Sequence, residues 1–368
     1  MGVAVMGVGM CGAFPTSSGL SYREMIARAA AMAYGDAGVT PSQIDGAVAA
    51  EEDLVSGYSI CDEYVPDQLG MSRKPVYTIC GDFLHATGSA SMQISTGRFE
   101  TVVVVAFSKA SNVLLKDELL GFAFDPVFDR LGVSPHYLAA LEMRHFLNAT
   151  GRPLAEVAAV VERSRRAALG NPAAPYGAVT TGEDVLAGDP VATPLTRSMI
   201  ARHADGAVVV VLGTDEAARR TSRKPVYLAG VGWGSGTSIV ERRHPTVSLG
   251  TELAAEAAFT EAGIEDPGEE IDVFYLSDLY PHRLLMHLDA LGLGEEALGV
   301  TNPDGGSLGM GDLLEANGGA RLYDAVLQLR GEAGAHQVEG ARRALVHAWR
   351  GLPTDSCAVA VLDARRSS

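Results

Sequence analysis

The chain presents one succession of strands, glycines and helices twice, and this internal repeat constrains its fold more than any other feature. The first copy runs from a strand at residues 3–9 through a helical stretch to a strand at 46–50. The second copy begins at Val226 and runs in the same order to a strand at 273–276. Each copy has Gly-Val-Gly in its first strand and an acidic-Ala-Gly turn after its helix. Such a repeat predicts a duplicated α/β domain packed against itself.

The later segments of the two copies also correspond. A helix end and a strand within residues 91–105 match a helix and a strand within residues 322–347. The first half closes with a strand at 207–213, as the second half does at 358–363. A chance similarity between two generic βα units would not extend over five features in the same order.

An insertion interrupts the first copy only. It lies between residues 108 and 202 and contains two helical stretches, at 135–148 and 154–169, followed by a loop rich in Gly, Pro and Ala. Long loops of this kind commonly cover an active site. We therefore expect an N-terminal half at residues 1–220, which includes the inserted loop region, and a C-terminal half at residues 221–368.

Net charge, apolar runs and cysteine spacing limit the kinds of binding partner and the cellular compartment that we expect for this chain. A net charge of −16 argues against nucleic acid or an anionic membrane as a partner, although basic groups inside an acidic protein can still bind an anionic ligand. No apolar run is long enough to span a membrane, and the N-terminus lacks the charged start of a signal peptide. The four cysteines lie far apart without metal-ligand spacing, which indicates reduced thiols. We expect a cytoplasmic protein without a metal site.

A cysteine follows a short strand at the point where a helical segment begins. Residues 76–79 are β-branched or aromatic, Cys80-Gly81 breaks the strand, and an amphipathic segment continues to a helix-ending glycine at Gly97. A thiol at a helix N-terminus is favoured as a thiolate by the backbone N–H groups and the helix dipole. Cys80 is therefore a candidate nucleophile. The alternative is that it serves as a small buried hydrophobic residue.

The sequence resembles the thiolase superfamily, in particular the branch of sterol-carrier-protein-type and lipid-transfer thiolase-like proteins. The run QLRGEAGAHQVEGARRALVHAWRG at residues 328–351 carries the resemblance most strongly, and NPDGGSLGMG at 302–311 and HADGAVVVVL at 203–212 support it. The resemblance covers nearly the whole chain. It implies a five-layer αβαβα fold, acyl-CoA as a substrate, no permanently bound cofactor, and at least a homodimer.

Two alignments compete for the position of the family's nucleophile, a cysteine on the strand–helix turn of the first half. Counting back from Gly97 without gaps places it at Cys80. The string HATGSA, which begins at His85, instead imitates the family's Cys-Ala-Ser-Gly-Ser-Ala and would place it at His85. The second alignment requires a shortened helix, so we favour Cys80.

Both histidines that the family uses in its second half are replaced. The family's Gly-His-Pro motif falls on Gly311-Asp312-Leu313, and its His-Asp motif falls on Ser277-Asp278. Ordinary thiolysis of a 3-ketoacyl-CoA is therefore not expected. Asp312 and Ser277 become candidates by position. Asp312 would be an acid or base if it were desolvated, whereas a solvated loop carboxylate would have neither role.

Other histidines are candidates for the missing base. His136 opens an inserted helix, where a related acyltransferase branch also has a pocket histidine, and its alternative role is that of a surface histidine. His347 ends a second-half strand, the usual edge of sites in α/β folds, and its alternative role is that of a core histidine bonded to backbone. For His282 we expect a structural role, and for Tyr280 packing, although its hydroxyl could donate to an oxyanion.

Three functions are consistent with these residues. In the first, which we favour, Cys80 takes an acyl group from acyl-CoA and passes it to a carbon nucleophile, with His136 or His347 as base. In the second, the chain is a cysteine-independent retro-aldolase on a β-hydroxyacyl-CoA that works with a small OB-fold partner. Relatives of that kind use tyrosines near Ser277 and Met310 that this chain does not supply at the matching positions. In the third, it is a non-catalytic thiolase-like subunit that supports an active partner chain.

Overall fold

The strands of the two sequence copies form matching half-sheets. The computed structural model describes residues 2–53, 59–112, 130–220, 224–237, 239, 242–244 and 246–364. The strands are β1 (Val3–Phe14), β2 (Gly46–Ala50), β3 (Val76–Ile79), β4 (Thr101–Ser108), β5 (Pro190–Ala192), β6 (Leu195–Thr196), β7 (Asp205–Thr214), β8 (Val226–Ser235), β9 (Val273–Tyr275), β10 (Arg343–Trp349) and β11 (Ser356–Asp363). Nine of them form a sheet in the order β3-β2-β4-β7-β1-β8-β11-β10-β9, and β5 and β6 form a separate pair.

The helices that cover these strands are α1 (Tyr22–Ala37), α2 (Cys61–Tyr64), α3 (Pro66–Leu69), α4 (Phe83–Ser95), α5 (Pro135–Thr150), α6 (Leu154–Ala168), α7 (Gly182–Leu186), α8 (Asp215–Ala218), α9 (Leu249–Ala262), α10 (Pro267–Glu270), α11 (Pro281–Ala290), α12 (Gly306–Met310) and α13 (Asn317–Arg330). Local sequence explains several ends. Ser21 and Glu24 form a capping box at the start of α1, and Gly97 follows α4 with a φ of 74°. The predicted end of the helix after Cys80 is thereby confirmed.

The duplication is visible in strand order and direction. In the first half β2 runs parallel to β4, while β4–β7 and β7–β1 are antiparallel. In the second half β9, β10, β11 and β8 repeat this arrangement in the same order. The edge strand β3 has a reduced counterpart in a single parallel bridge between Phe274 and Thr301. The proposed boundary after residue 220 adjoins residues 221–223, which lie outside the described residues, and it stays a prediction.

Three clusters of buried apolar residues lie between the layers of helices and strands and define their order. On β1, Met6 faces α1 on the outer side of the first half, whereas its neighbour Val5 faces a central cluster that contains Phe83 of α4 and Leu322 of α13. A third cluster packs α9 and the inserted helices on the outer side of the second half. Full burial of one such side chain stabilises the fold by about 1.5–3 kcal/mol. The arrangement is α1, half-sheet, α4 with α13, half-sheet, α9, which confirms the predicted five-layer fold.

The insertion contains the two predicted helices, α5 and α6, which pack against the second half. Ser134 caps α5 by accepting a hydrogen bond from the Tyr137 N–H at 3.2 Å. The range predicted for the insertion also includes residues 113–129, which fall outside the described part of the chain. In the ranges that are described, no helix combines the length and the apolar character needed to cross a bilayer.

Candidate active site

A cavity of about 1050 Å³ lies between the insertion and the loops of the second half. Segments distant in sequence meet around it: the residues after β1, the start of α5, the turn after α6, the loop before β7, and the segments that follow β9 and β10. The polar and charged residues of its lining are Thr16, His136, Arg165, Tyr176, Asp189, Arg197, Ser198, Arg202, His203, Tyr280 and Asp312. Its volume is in the range of small-molecule sites.

Buried hydrogen bonds fix the segment after β9 that carries Tyr280. Asn302 accepts a hydrogen bond from the Leu276 N–H at 2.7 Å and donates to the Leu276 carbonyl at 2.9 Å. The fully buried Asp278 carboxylate accepts from the Ser307 N–H at 2.6 Å, at the start of α12. Asp278 is the residue on which the sequence comparison places the aspartate of the family's His-Asp motif, and its hydrogen bonds join the segment after β9 to the glycine-rich loop.

His136 and Tyr280 form a pair inside the cavity. His136 Nδ1 and the Tyr280 hydroxyl share a hydrogen bond of 2.9 Å, with ring centroids 6.0 Å apart and nearly perpendicular rings. His136 is the second residue of α5, and Tyr280 directly precedes α11. The pair therefore depends on the contact between these two helices. From the sequence we expect Tyr280 to have a packing role, with a hydroxyl that could also donate to an oxyanion, and the structure places that hydroxyl next to a candidate base.

A buried ion pair between Glu142 of α5 and Arg283 of α11 also holds these two helices together. It lies one helical turn or more away from the His136–Tyr280 pair. Arg283 Nε donates to Glu142 Oε1 at 2.6 Å, and His282 Nε2 lies 2.9 Å from the same oxygen. Burial is the largest single influence and opposes ionisation of Glu142, but the charges and hydrogen bonds of Arg283 and His282 together outweigh it and lower the pKa of Glu142 to about 2. The Arg283 guanidinium also lies 4.2 Å from the ring centroid of Trp349. His282 has the structural role expected from the sequence.

Asp312 occupies the position of the family's Gly-His-Pro histidine and lies in the cavity wall. Its backbone N–H donates to the Arg202 carbonyl at 2.7 Å, and its carbonyl accepts from the Ala204 N–H at 2.8 Å. Its Oδ1 accepts from the Leu314 N–H at 2.9 Å and from the Asn317 side chain. Its Oδ2 accepts no hydrogen bond from the described residues, so one carboxylate oxygen is available to a ligand.

Three arginines form a positive wall in the same cavity: Arg165, Arg197 and Arg202. Arg165 Nη2 donates to the Ser198 carbonyl at 3.0 Å, and Arg202 lies 4.5 Å from the ring centroid of Tyr176. Burial, then the charge of Arg202, lowers the pKa of Arg165. Within the described ranges, none of the three forms an ion pair with a carboxylate. No sequence motif predicts this positive wall, because the three arginines come from separate segments of the chain.

Cys80 lies outside the lining of this cavity, on the turn between β3 and α4. Its free thiol is exposed, and Arg350 Nη2 lies 3.8 Å from its sulfur. The same nitrogen donates to Glu52 Oε2 at 2.6 Å. The next residue, Gly351, does line the cavity. The predicted role of Cys80 as nucleophile remains a prediction.

The helix N-terminus predicted to stabilise the Cys80 thiolate is already occupied. α4 begins at Phe83, and its N-cap Asp82 accepts from the Leu84 N–H at 2.9 Å through Oδ1. This carboxylate also accepts from the Gly318 N–H at 3.0 Å through Oδ2. The Leu84 N–H is therefore bonded to the Asp82 carboxylate and not to the Cys80 thiol, and the expectation that the helix N-terminus favours a thiolate stays a prediction. The cation beside the sulfur comes from Arg350.

His85, the alternative nucleophile position, lies under the same turn. A Cβ atom at Gly81 would approach His85 Cγ to 3.2 Å, and His85 Nε2 is 3.4 Å from the Ser356 hydroxyl. His85 Nδ1 is buried without a hydrogen-bond partner among the described residues. Burial, and then the charge of Arg350, lowers the pKa of His85 to about 4. The structure thus puts Cys80 on the exposed side of the turn and His85 below it.

His347 and Ser277 meet each other in the core rather than in the cavity. The Ser277 N–H donates to His347 Nδ1 at 3.3 Å, which leaves Nε2 to donate to the Thr251 hydroxyl at 3.0 Å. The ring of His287 lies 4.3 Å from that of His347. Burial, and then the charges of Arg321 and Arg283, holds the pKa of His347 well below its usual range. This is the backbone-bonded core histidine considered as the alternative, and a catalytic role for either residue remains a prediction.

The described residues contain no group of three or more His, Cys, Asp or Glu side chains placed to hold a metal ion. The candidate site residues predicted from the sequence lie in three separate parts of the structure. His136 and Asp312 lie in the cavity, Cys80 lies on the β3–α4 turn, and Ser277 and His347 lie in the core.

Comparisons with known proteins agree with this architecture. Residues 234–364 match a family described as thiolase C-terminal domain-like. The chain is 29% identical to an acetyl-CoA acetyltransferase from Methanothermobacter thermautotrophicus, over 94% of this chain and 95% of that protein. It is 25% identical to sterol carrier protein 2 from Oryctolagus cuniculus, over 94% of this chain and 69% of that protein.

A lyase and an aldolase are also among the similar proteins. The chain is 26% identical to the 17-hydroxy-3-oxo-4-pregnene-20-carboxyl-CoA lyase from Mycobacterium tuberculosis, over 95% of this chain and 97% of that protein. The solved Ltp2-ChsH2(DUF35) aldolase superposes with a TM-score of 0.85 and 24% identity, covering 99% of this chain and 98% of that one. The structural likeness confirms the predicted fold class.

Proposed function

We propose that this chain cleaves or forms a carbon–carbon bond in a CoA thioester without a covalent acyl-enzyme. The chain belongs to the thiolase superfamily and, within it, is similar to sterol carrier protein 2. The observation that carries the proposal is the grouping in one cavity of the His136–Tyr280 pair and Asp312, while Cys80 is not among the lining residues. The choice reverses the order of preference drawn from the sequence.

The reaction that these groups suit is a retro-aldol cleavage of a β-hydroxyacyl-CoA. Asp312 accepts the proton of the β-hydroxyl group through its available oxygen, and the Cα–Cβ bond breaks to leave a carbonyl product and the enolate of the shortened thioester. The Tyr280 hydroxyl donates to the enolate oxygen, and His136 supports it and supplies the proton that Cα takes up. No acyl group passes to the protein in this sequence.

The arginine wall suits the CoA part of the substrate. Guanidinium groups bind phosphate oxygens with paired hydrogen bonds, and Arg165, Arg197 and Arg202 have no carboxylate partner among the described residues that would compete. CoA enters as part of the substrate and is not a resident cofactor. The similarity to an acetyl-CoA acetyltransferase and to a CoA lyase supports this substrate class.

Turnover of a panel of aliphatic, branched and cyclic β-hydroxyacyl-CoA thioesters tests the proposal, with the shortened CoA thioester quantified by liquid chromatography and mass spectrometry. We expect Tyr280→Phe and Asp312→Asn each to lower the rate of turnover by about 100-fold. Loss of one acid–base group or one oxyanion-stabilising group typically lowers a rate by this order of magnitude. Cys80→Ala is the matched variant outside the cavity and should retain the rate within about threefold. Loss of turnover in Cys80→Ala alone would contradict the proposal.

Acyl transfer through Cys80 is the second candidate, and the exposure of the thiol beside Arg350 favours it. In that reaction the thiolate attacks the thioester carbonyl, CoA leaves as its thiol, and the acyl group remains on sulfur. Intact-protein mass spectrometry after incubation with acyl-CoA thioesters should then show an adduct that Cys80→Ala lacks. Wild-type protein without an adduct from any thioester would exclude it.

A partner chain is part of the proposal. The similar Ltp2-ChsH2(DUF35) aldolase is named as a complex with a DUF35 protein, which supports a partner chain of that kind here, and the small OB-fold of that partner stays a prediction. A homodimer and a second thiolase-like chain remain predictions. Turnover by the isolated chain would exclude the third function, that of a non-catalytic subunit. Turnover that requires both chains and is lost in Tyr280→Phe would assign the catalytic groups to this one.

A further inference from the structure

We propose that His203 receives the proton that Asp312 takes from the substrate, so that the two side chains act as a carboxylate–imidazole pair in the cavity. This role rests on the proposed carbon–carbon bond cleavage and deepens it, because it assigns the residue that returns Asp312 to its charged form. His203 is not among the candidate bases predicted from the sequence, and the cleavage described above gives it no part.

Backbone pairing places His203 beside Asp312. The Asp312 N–H donates to the Arg202 carbonyl at 2.7 Å, and the Ala204 N–H donates to the Asp312 carbonyl at 2.8 Å. These two hydrogen bonds make His203 and Asp312 partners in a parallel bridge. The Cα atoms of bridge partners lie about 4.8 Å apart, and their side chains leave the two segments on the same face. Both residues line the cavity and both are half-buried, so a ligand in the cavity can reach them.

The imidazole of His203 is available for proton transfer. Across the described ranges its ring forms no hydrogen bond and no ion pair, and Asp312 keeps one carboxylate oxygen without a donor. The backbone of His203 is held from a second direction, because the Tyr176 hydroxyl donates to its carbonyl at 2.8 Å. The other histidine of the cavity lining, His136, is already bonded to Tyr280. His203 therefore combines a fixed backbone with an unbonded ring, next to the carboxylate that takes the proton.

The proton balance of the retro-aldol cleavage shows why Asp312 needs a neighbouring base. Asp312 gains the hydroxyl proton as the Cα–Cβ bond breaks, and His136 gives a proton to Cα. A neutral imidazole is a stronger base than a carboxylate, so the proton passes from Asp312 to His203, directly or through one water. This transfer leaves an Asp312 carboxylate beside a His203 imidazolium. His203 then releases the proton to solvent and His136 takes one up, so the cycle consumes no net proton.

Two assays separate the steps that need His203 from those that do not. The first measures kcat and KM for the β-hydroxyacyl-CoA thioesters of the panel described above. The second follows exchange of the Cα hydrogens of propionyl-CoA with D2O by mass spectrometry. Exchange forms and reprotonates the enolate without cleavage of a carbon–carbon bond, so it requires His136 and Tyr280 but neither Asp312 nor His203.

We expect His203→Gln to lower kcat by about 10- to 100-fold and to change KM by less than about twofold, because it removes a proton acceptor and no substrate-binding group. The rate of exchange should stay within about twofold of the wild-type rate in this variant. Tyr280→Phe should lower both kcat and the exchange rate. His145→Gln, at an exposed histidine of α5 outside the cavity lining, is the matched control and should alter none of these values.

Chemical rescue covers the case in which His203→Gln does not fold, as circular dichroism would show. His203→Ala leaves a space beside Asp312 that free imidazole can enter, and added imidazole should restore kcat in proportion to its concentration. Asp312→Asn should not respond to imidazole.

Either of two results overturns the role of His203 alone. One is a folded His203→Gln protein whose kcat stays within about threefold of wild type. The other is a His203→Ala protein that has lost turnover and that imidazole does not restore. Wild-type protein that cleaves none of the thioesters overturns the proposed function, and the role of His203 with it, before any variant is made.

Discussion

Asp82 and Gly318 join the first turns of two helices that correspond to each other in the repeat. The Asp82 carboxylate caps α4 through the Leu84 N–H and accepts from the Gly318 N–H at the start of α13 at 3.0 Å. A side chain at Gly318 would bring its Cβ to 2.1 Å from Asp82 Oδ1. One buried carboxylate therefore ties the central helices of both halves together near the turn that carries Cys80.

Asp82→Ala should destabilise the protein by about 2–4 kcal/mol, because it removes a helix cap and leaves a second buried N–H without an acceptor. Urea unfolding monitored by circular dichroism gives the free energy of unfolding. Asp67→Ala, at the exposed second residue of α3, is the control. Equal, small effects of the two substitutions would show that the junction between α4 and α13 does not depend on Asp82.

Glu142→Gln should cost about 3–5 kcal/mol, because Arg283 would stay buried with only the Asp355 carboxylate, 3.6 Å away, as a counterion. The wild-type ion pair also predicts acid sensitivity. Since the pKa of Glu142 is lowered to about 2, its stabilisation is complete above its unfolded value near 4.5 and is lost as pH falls through about 2. Glu216→Gln, at an exposed pair with Arg220, serves as control and should stay within about 0.5 kcal/mol. Matching unfolding curves for the two variants would contradict the expectation.

The raised pKa of Asp304 predicts a loss of stability as pH rises from about 4 to about 7. Burial first, and then the charge of Asp324, raises the pKa of Asp304 to about 7. The unfolded chain releases this proton near 3.8, so the folded state binds more protons between about pH 4 and about pH 7. Stability from this group is present below that window and falls as pH rises through it, by at most about 1.4 kcal/mol per pH unit. Asp304→Asn should flatten the pH dependence of the free energy of unfolding, and parallel curves for wild type and variant would refute the assignment.

Arg197→Gln and Arg202→Gln should each raise the KM for a CoA thioester about tenfold or more and change kcat little. A rise of this size corresponds to the loss of one charge-assisted hydrogen bond to the substrate. A pantetheine thioester, which lacks the nucleotide phosphates, should show the same KM with wild type and variants. Arg166→Gln, outside the cavity, should not alter either KM. A rise in KM for the pantetheine substrate would mean that the arginines act on cavity shape and not on phosphate.

The repeat predicts the succession of strands and helices along the chain, because it depends on local patterns. Apolar runs, Gly97 and the acidic-Ala-Gly turns each act over a few residues, so the two halves and the inserted helices can be assigned from the sequence. The pairing of His136 with Tyr280 could not, because it joins residues 144 positions apart through the packing of α5 on α11. Local sequence does not encode that contact.

Charged residues within the site were harder still to predict. Asp82 follows Cys80 by two residues, yet only the fold shows that its carboxylate occupies the helix start and also reaches Gly318. Arg350 was part of the resembling C-terminal sequence, but its approach to Cys80 depends on the packing of one half against the other. The same holds for His347, whose strand was predicted correctly while its neighbours Thr251 and His287 were not.

A dissolved anion that approaches the arginine wall experiences two opposing electrostatic forces. At long range it meets the field of a chain with net charge −16, which repels it. Within roughly one Debye length of the cavity, about 8 Å at physiological ionic strength, it meets Arg165, Arg197 and Arg202. Moderate salt screens the repulsion before it screens the attraction. The association rate of an anionic substrate should therefore first rise and then fall as salt is added, and this biphasic response distinguishes a cationic cavity in an acidic protein from a uniformly basic surface.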